Sequence, residues 1–251
     1  MRKIYMFFLA VLLVSSLITA TRIIPANENA KASSKASENF PLVIESVPGN
    51  LELERVNFIH YAKSKELRSI NGLSCYKLLG VKWNILPVSY IVNPTNPEGL
   101  SDSFVTSTIS ASAETWDDST SKELFNNAYG IDYSAAYGSL DNKNAISFGA
   151  YSNSNVIAVT SIWFNKKTKR IVEYDILFNT FFDWGDADIN PSVMDLQNIA
   201  THELGHGVGL NDIYNSACSA VTMYGYSSEG ETKGRTLEAP DITGLQKMYG
   251  I

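Results

Sequence analysis

The run Thr201-His202-Glu203-Leu204-Gly205-His206-Gly207-Val208-Gly209-Leu210-Asn211-Asp212 carries the densest chemistry in this 251-residue chain. Two of the chain's three histidines stand in it, four residues apart. On a helix, positions i and i+4 share a face, so both imidazoles can converge on one metal ion. Glu203, next to the first imidazole, could reach a water on that ion and act as general base. Asp212 offers an oxygen ligand if the chain bends back after His206, and Gly209 can take the positive φ that such a bend needs. The spacing therefore points to a metal held by His202, His206 and Asp212, with one coordination position open. Asp212 as a loop cap or calcium ligand is the competing reading.

A helix must carry the two histidines. Asn190-Pro191 reads as its cap and first residue, and Val193, Leu196, Ile199 or Ala200, and Leu204 recur at helical spacing. A second helical pattern covers Phe104 to Trp116, and a third runs from Pro240 to Tyr249 with Ile242, Leu245, Met248 and Tyr249 inward. Strands are expected at Val88–Val92, Ala145–Phe148, Val156–Phe164 and Ile171–Asn179, the last two joined as a hairpin across residues 165–169. Helices with a mixed sheet over about 170 residues make one α+β domain.

Composition bounds the rest. With 45% hydrophobic and 18% charged residues the chain can bury one sizeable core. A net charge of −6 argues against nucleic acid and anionic membrane surfaces as partners. Met1-Arg2-Lys3 followed by an apolar run to Ile18 reads as a signal peptide over residues 1–20, implying export. An uncleaved membrane anchor is the alternative, although the apolar run is short for a span. Residues 21 to about 40 look like a flexible spacer, and the rest of 21–80 like a propeptide or N-terminal wrap too small to fold alone. The catalytic domain is placed at 81–251. In an exported chain with two cysteines, a Cys75–Cys218 disulfide is the default reading.

Beyond the histidine helix, three stretches carry a resemblance to the matrixin-like metzincins, zinc metallopeptidases. Val221-Thr222-Met223-Tyr224-Gly225 resembles that family's Met-turn. Leu237 to Gly250 is similar to its C-terminal helix. Asn155-Val156-Ile157-Ala158 resembles the sheet-edge strand that holds extended peptides. The resemblance implies a metzincin fold, a twisted mixed sheet with an active-site helix, and one catalytic Zn²⁺ on His202, His206 and Asp212. It implies Glu203 as general base for a zinc-activated water, Met223 as structural support beneath the metal, and Val156, Ile157 and Ala158 as the substrate edge.

The implied protein is a secreted, monomeric zinc endopeptidase acting on peptides or proteins, without stable membrane insertion. The alternative is a catalytically weak zinc-stabilised binding or adhesion module on the same fold, for which Glu203 would have no use. Where matrixins usually have a third histidine this chain has Asp212. At the positions of the family's second zinc it has Val159 and Leu177, so that zinc is not expected. The resemblance allows a Ca²⁺ site near Asp183–Asp188, a stretch that reads equally as a solvated loop. It also raises Cys75 as a latency thiol on the zinc, but Leu73-Ser74-Cys75-Tyr76-Lys77 lacks the arginine, glycine and proline that normally surround that cysteine.

Overall fold

A computed structural model describes residues 43–63 and 74–251, and among these residues there are ten strands and three α-helices. In chain order they are β1 (Ile44–Val47), β2 (Asn50–Ala62), β3 (Ile91–Val92), α1 (Asp102–Asp117), β4 (Gly130–Ile131), β5 (Ala145–Gly149), β6 (Val156–Asn165), β7 (Arg170–Asn179), β8 (Trp184–Gly185), β9 (Met194–Asp195), α2 (Leu196–Gly207), β10 (Tyr226–Ser227) and α3 (Ala239–Tyr249). The leader and spacer expected over residues 1–20 and 21 to about 40 lie outside the described residues. No helix among the described residues is long and apolar enough to cross a membrane.

One twisted sheet runs β1-β2-β6-β7-β5-β3-β4, with β10 beside β2. Strands β7, β5, β3 and β4 are parallel, whereas β6 runs antiparallel to β7. Strands β6 and β7 are buried along nearly their whole length, because the sheet is covered on both faces. Val159 and Leu177 stand directly opposite each other in this ladder. Two apolar side chains thus occupy the place where the resemblance would have put ligands for a second metal.

Helix α2 packs on the sheet at β6 and β7, and α1 packs on α2. Trp116 is fully buried and its Nε1 donates to the Thr201 carbonyl at 2.8 Å, which ties α1 to the middle of α2. Side chains of α2 are buried on all sides, as in a core helix.

Two elements differ from the sequence reading. Helix α2 begins at Leu196, not at Pro191. Asp195 takes the cap by accepting from the Asn198 N–H at 2.8 Å, while Met194–Asp195 pairs with Trp184–Gly185. Asn190 instead caps a turn, accepting from Ser192 N–H. The strand expected over Val88–Val92 shortens to Ile91–Val92, with Val88 making only an isolated bridge to Phe125.

Part of the segment expected as a propeptide or N-terminal wrap forms a full strand, β2. β2 covers the outer side of β6 from Leu53↔Asn165 to Tyr61↔Val156. Its alternation buries Val56, Phe58 and His60 against the domain. The expected substrate edge at Val156, Ile157 and Ala158 is therefore an interior strand here.

Candidate metal centre

The end of α2 creates the bend that the site needs. After the last turn, Gly209 N–H donates to His206 O at 2.8 Å and Leu210 N–H to Gly205 O at 3.0 Å. Gly209 has φ +100°, and a Cβ there would come within 2.4 Å of the Val81 carbonyl oxygen, so only glycine fits. The chain then returns past the histidines and brings Asp212 against them.

Three donor atoms converge. His202 Nε2 and His206 Nε2 are 3.1 Å apart, and Asp212 Oδ1 lies 3.2 and 3.4 Å from them. Ligands about 2.0–2.1 Å from a tetrahedral metal stand about 3.3–3.4 Å from one another, so this spacing is that of a zinc ligand set. Each imidazole donates its Nδ1–H to a backbone carbonyl, His202 to Thr222 O at 2.7 Å and His206 to Leu210 O at 3.0 Å. That fixes the tautomer and turns both Nε2 lone pairs inward. Asp212 Oδ2 accepts from the Tyr214 hydroxyl at 3.0 Å, while Oδ1 is buried without a hydrogen-bond donor. A buried carboxylate oxygen in that condition fits a metal ligand.

Glu203 lies beside this set and is 0% exposed. Its Oε2 accepts from the Thr160 hydroxyl on β6, and its Oε1 lies 3.3 Å from His60 Nδ1. Burial alone would push these carboxyls up. His206 and His202 nevertheless hold Asp212 well below the usual carboxylate range, and His60, His202 and His206 hold Glu203 below its ordinary value. Burial, with His202 alongside, pulls His60 down to about 4.

Met223 packs against α2 at Gly205. A Cβ added to Gly205 would meet Met223 Sδ at 2.4 Å and Trp116 Cζ2 at 2.6 Å, so the helix is narrowed where the methionine packs. Asp241, at the start of α3, anchors this turn by accepting from the backbone N–H groups of Thr222 at 2.9 Å and Met223 at 3.2 Å. Cys75 and Cys218 form a disulfide with Cα atoms 5.4 Å apart. Cys75 is therefore not a thiol facing the metal. In the acidic stretch weighed for calcium, Asp186 and Asp188 are ion-paired to Arg235, which also binds the buried Asp195. An arginine supplies positive charge to these carboxylates.

All the ligand candidates and Glu203 are thus brought together, but the sequence reading missed their neighbours. His60 and Phe58 stack on the site, with ring centroids 3.9 Å from His202 and 4.0 Å from His206. The signal was present: Val56, Phe58 and His60 alternate, and His60 is the chain's remaining histidine. Tyr214, Thr160 and Asp241 carried no local signal for their roles.

Compared with known families, residues 82–250 match the Matrixin model of peptidases. The chain belongs to the matrixin family. Matrixins are zinc metallopeptidases, and the mixed sheet, helices and turn described above are this matrixin's version of their α+β metzincin fold. The match begins after β1 and β2, which lie outside the matched residues. A comparison with curated proteins gives no match.

Proposed function

We propose that this matrixin is a secreted zinc endopeptidase that hydrolyses peptide bonds with Glu203 as general base. The observation that carries the reading is the convergence of His202 Nε2, His206 Nε2 and Asp212 Oδ1 at mutual distances of 3.1–3.4 Å, with the Glu203 carboxylate alongside. These three residues would hold the zinc. A zinc ion there would supply Lewis acidity, lowering the pKa of water toward ~7 and polarising the scissile carbonyl.

The remaining work falls to the chain. Glu203 takes a proton from the attacking water and delivers it to the leaving amine; against its burial, His60, His202 and His206 hold its carboxyl below the ordinary value, so it is ionised and able to accept at neutral pH. Thr160 orients the Glu203 carboxylate from β6. The carbonyls of Thr222 and Leu210 keep the imidazoles in register, and Met223 supports them from below. The outer backbone groups of β6, the ones an extended peptide would use, are paired with β2 in this structure.

The test is casein digestion by the zinc-loaded chain, both intact and cut between residues 63 and 74, with and without chelator. Chelator-sensitive cleavage is expected, and a Glu203→Ala variant should retain one equivalent of zinc but lose the cleavage. Zinc-loaded protein that leaves casein intact in both forms would refute the peptidase reading.

A further inference from the structure

A cavity of about 470 Å³ opens between residues 78–84, residues 168–170 at the start of β7, and the last turn of α3. None of the metal-site residues lines it. Its walls carry four cations, Lys82, Lys169, Arg170 and Lys247, and no carboxylate. In a chain of net charge −6 this is a local excess of the opposite sign. Among the described residues none of the four makes an ion pair.

The backbone brings two of these charges together. Lys82 bridges Arg170 in parallel, with Lys82 N–H donating to Lys169 O at 3.2 Å and Ile171 N–H to Lys82 O at 3.0 Å. Residues paired across a bridge point to the same face, and like charges so placed are destabilising. A local conflict without internal compensation is expected at functional sites. An anion lying between the two side chains would relieve it.

The cations are also oriented in advance. Lys82 Nζ donates to Met248 O at 2.7 Å, which leaves two of its three N–H groups for a ligand. Lys247 Nζ donates to the Tyr76 hydroxyl and stands 4.9 Å over that ring. In the same wall Trp83 is fixed at both ends, its N–H donating to the Tyr249 hydroxyl at 3.1 Å and its Nε1 to Gly207 O at 2.8 Å. Groups held in this way lose little freedom when a ligand binds.

A second cavity, of about 370 Å³, shares Trp83, Asn84 and Arg170 with the first and again has no carboxylate in its lining. It adds apolar surface from Pro87, Val172 and Ile85, the last 78% exposed. Cations at one end and apolar surface at the other suit a ligand with a charged head and an apolar body.

We infer that the two cavities form one site for a small organic phosphate monoester. Its dianionic head lies among Lys82, Lys169, Arg170 and Lys247, and its apolar body runs along Trp83, Ile85 and Val172. The Arg170 guanidinium fork matches two phosphate oxygens at once. A phosphate monoester carries nearly two charges at neutral pH, where a sulfate ester carries one, and so offsets the Lys82–Arg170 repulsion more fully. The site shares no residue with the metal centre, so it stands apart from the peptidase reading.

The experiment titrates the full, zinc-loaded chain by calorimetry with phenyl phosphate, inorganic phosphate and phenyl sulfate. Phenyl phosphate should bind as a single equivalent, at least fivefold more tightly than either of the others at about pH 7.5. Its affinity should fall at least threefold by about pH 5.5, because its head takes up a proton near pH ~6, while that of phenyl sulfate stays level. Lys169→Gln with Arg170→Gln should weaken binding at least tenfold. Lys166→Gln with Lys167→Gln removes the same charge from the same turn outside both cavities, and should leave affinity within twofold. Circular dichroism checks the folding of both variants.

In the parent chain, saturating phenyl phosphate should slow amide exchange at Lys82 and Ile171, whose N–H groups make the bridge, at least threefold while leaving β2 unchanged. Equal losses from the two paired substitutions would reduce the binding to general attraction by the turn's charge. Phenyl sulfate or inorganic phosphate binding as tightly as phenyl phosphate, or exchange at Lys82 and Ile171 that does not slow, would each overturn the inference. Binding that disappears when zinc is removed from the folded chain would place the anion at the metal and overturn it too.

Discussion

Tyr214→Phe is the sharpest probe of how Asp212 is held. The Tyr214 hydroxyl donates to Asp212 Oδ2 at 3.0 Å, while Oδ1 faces the two imidazoles. Asp212 is 5% exposed, so water cannot readily replace the lost donor. The ring itself packs against Tyr226, with centroids 5.4 Å apart, and fills the space over Gly225, contacts that phenylalanine keeps. A hydrogen bond to a buried charge contributes about 1.5–3 kcal/mol, so zinc affinity should fall about 10- to 100-fold, the range seen for partners that orient metal ligands. The assay is competition for zinc against a chromogenic chelator at fixed pH, with circular dichroism as the control for folding. A folded variant whose dissociation constant stays within twofold of the parent would refute the idea that Tyr214 positions Asp212 for the metal.

Two other perturbations test the scaffold. Replacing Cys75 and Cys218 by serine opens a loop with a sequence separation of 143, for which chain entropy gives a loss of about 5 kcal/mol and a melting temperature lower by about 10–20 °C. A drop of less than 3 °C in a thermal melt would mean the loop is held closed by other contacts. Glu173 accepts from the Asp141 and Asn142 backbone, and burial raises its carboxyl to about 7. The folded state then binds a proton more tightly than the unfolded chain. Its contribution is complete below about pH 4.5 and lost as pH rises through about 7. The melting temperature of the parent relative to Glu173→Gln should therefore fall across that window, and a constant difference would contradict the assignment.

Much of the site was readable because its signals are local. His202, Glu203 and His206 lie within one turn of a helix, and the left-handed conformation at Gly209 follows from the bend that Asp212 requires. Strands β5, β6 and β7 showed their apolar runs. The start of α2 was misplaced by five residues because Asn190-Pro191 carries the local signal of a cap and first residue, whereas the cap that forms is Asp195. Only Asp195 is also held by β8 and by Arg235.

By itself the sequence determined the donor types, their spacing, and membership of a family whose model matches residues 82–250. Only the tertiary structure decided what lies across from them. Alternation in residues 50–62 shows that Val56, Phe58 and His60 share a buried face, yet not which surface buries them, since His60 meets Glu203 across 143 residues. Likewise Arg235 reaches Asp195 across 40 residues, and Tyr61 meets Tyr226 only through the sheet. Periodicity is a property of one segment. The choice of partner depends on the free energy of the whole packed chain, where strand register and buried charge are satisfied together or not at all.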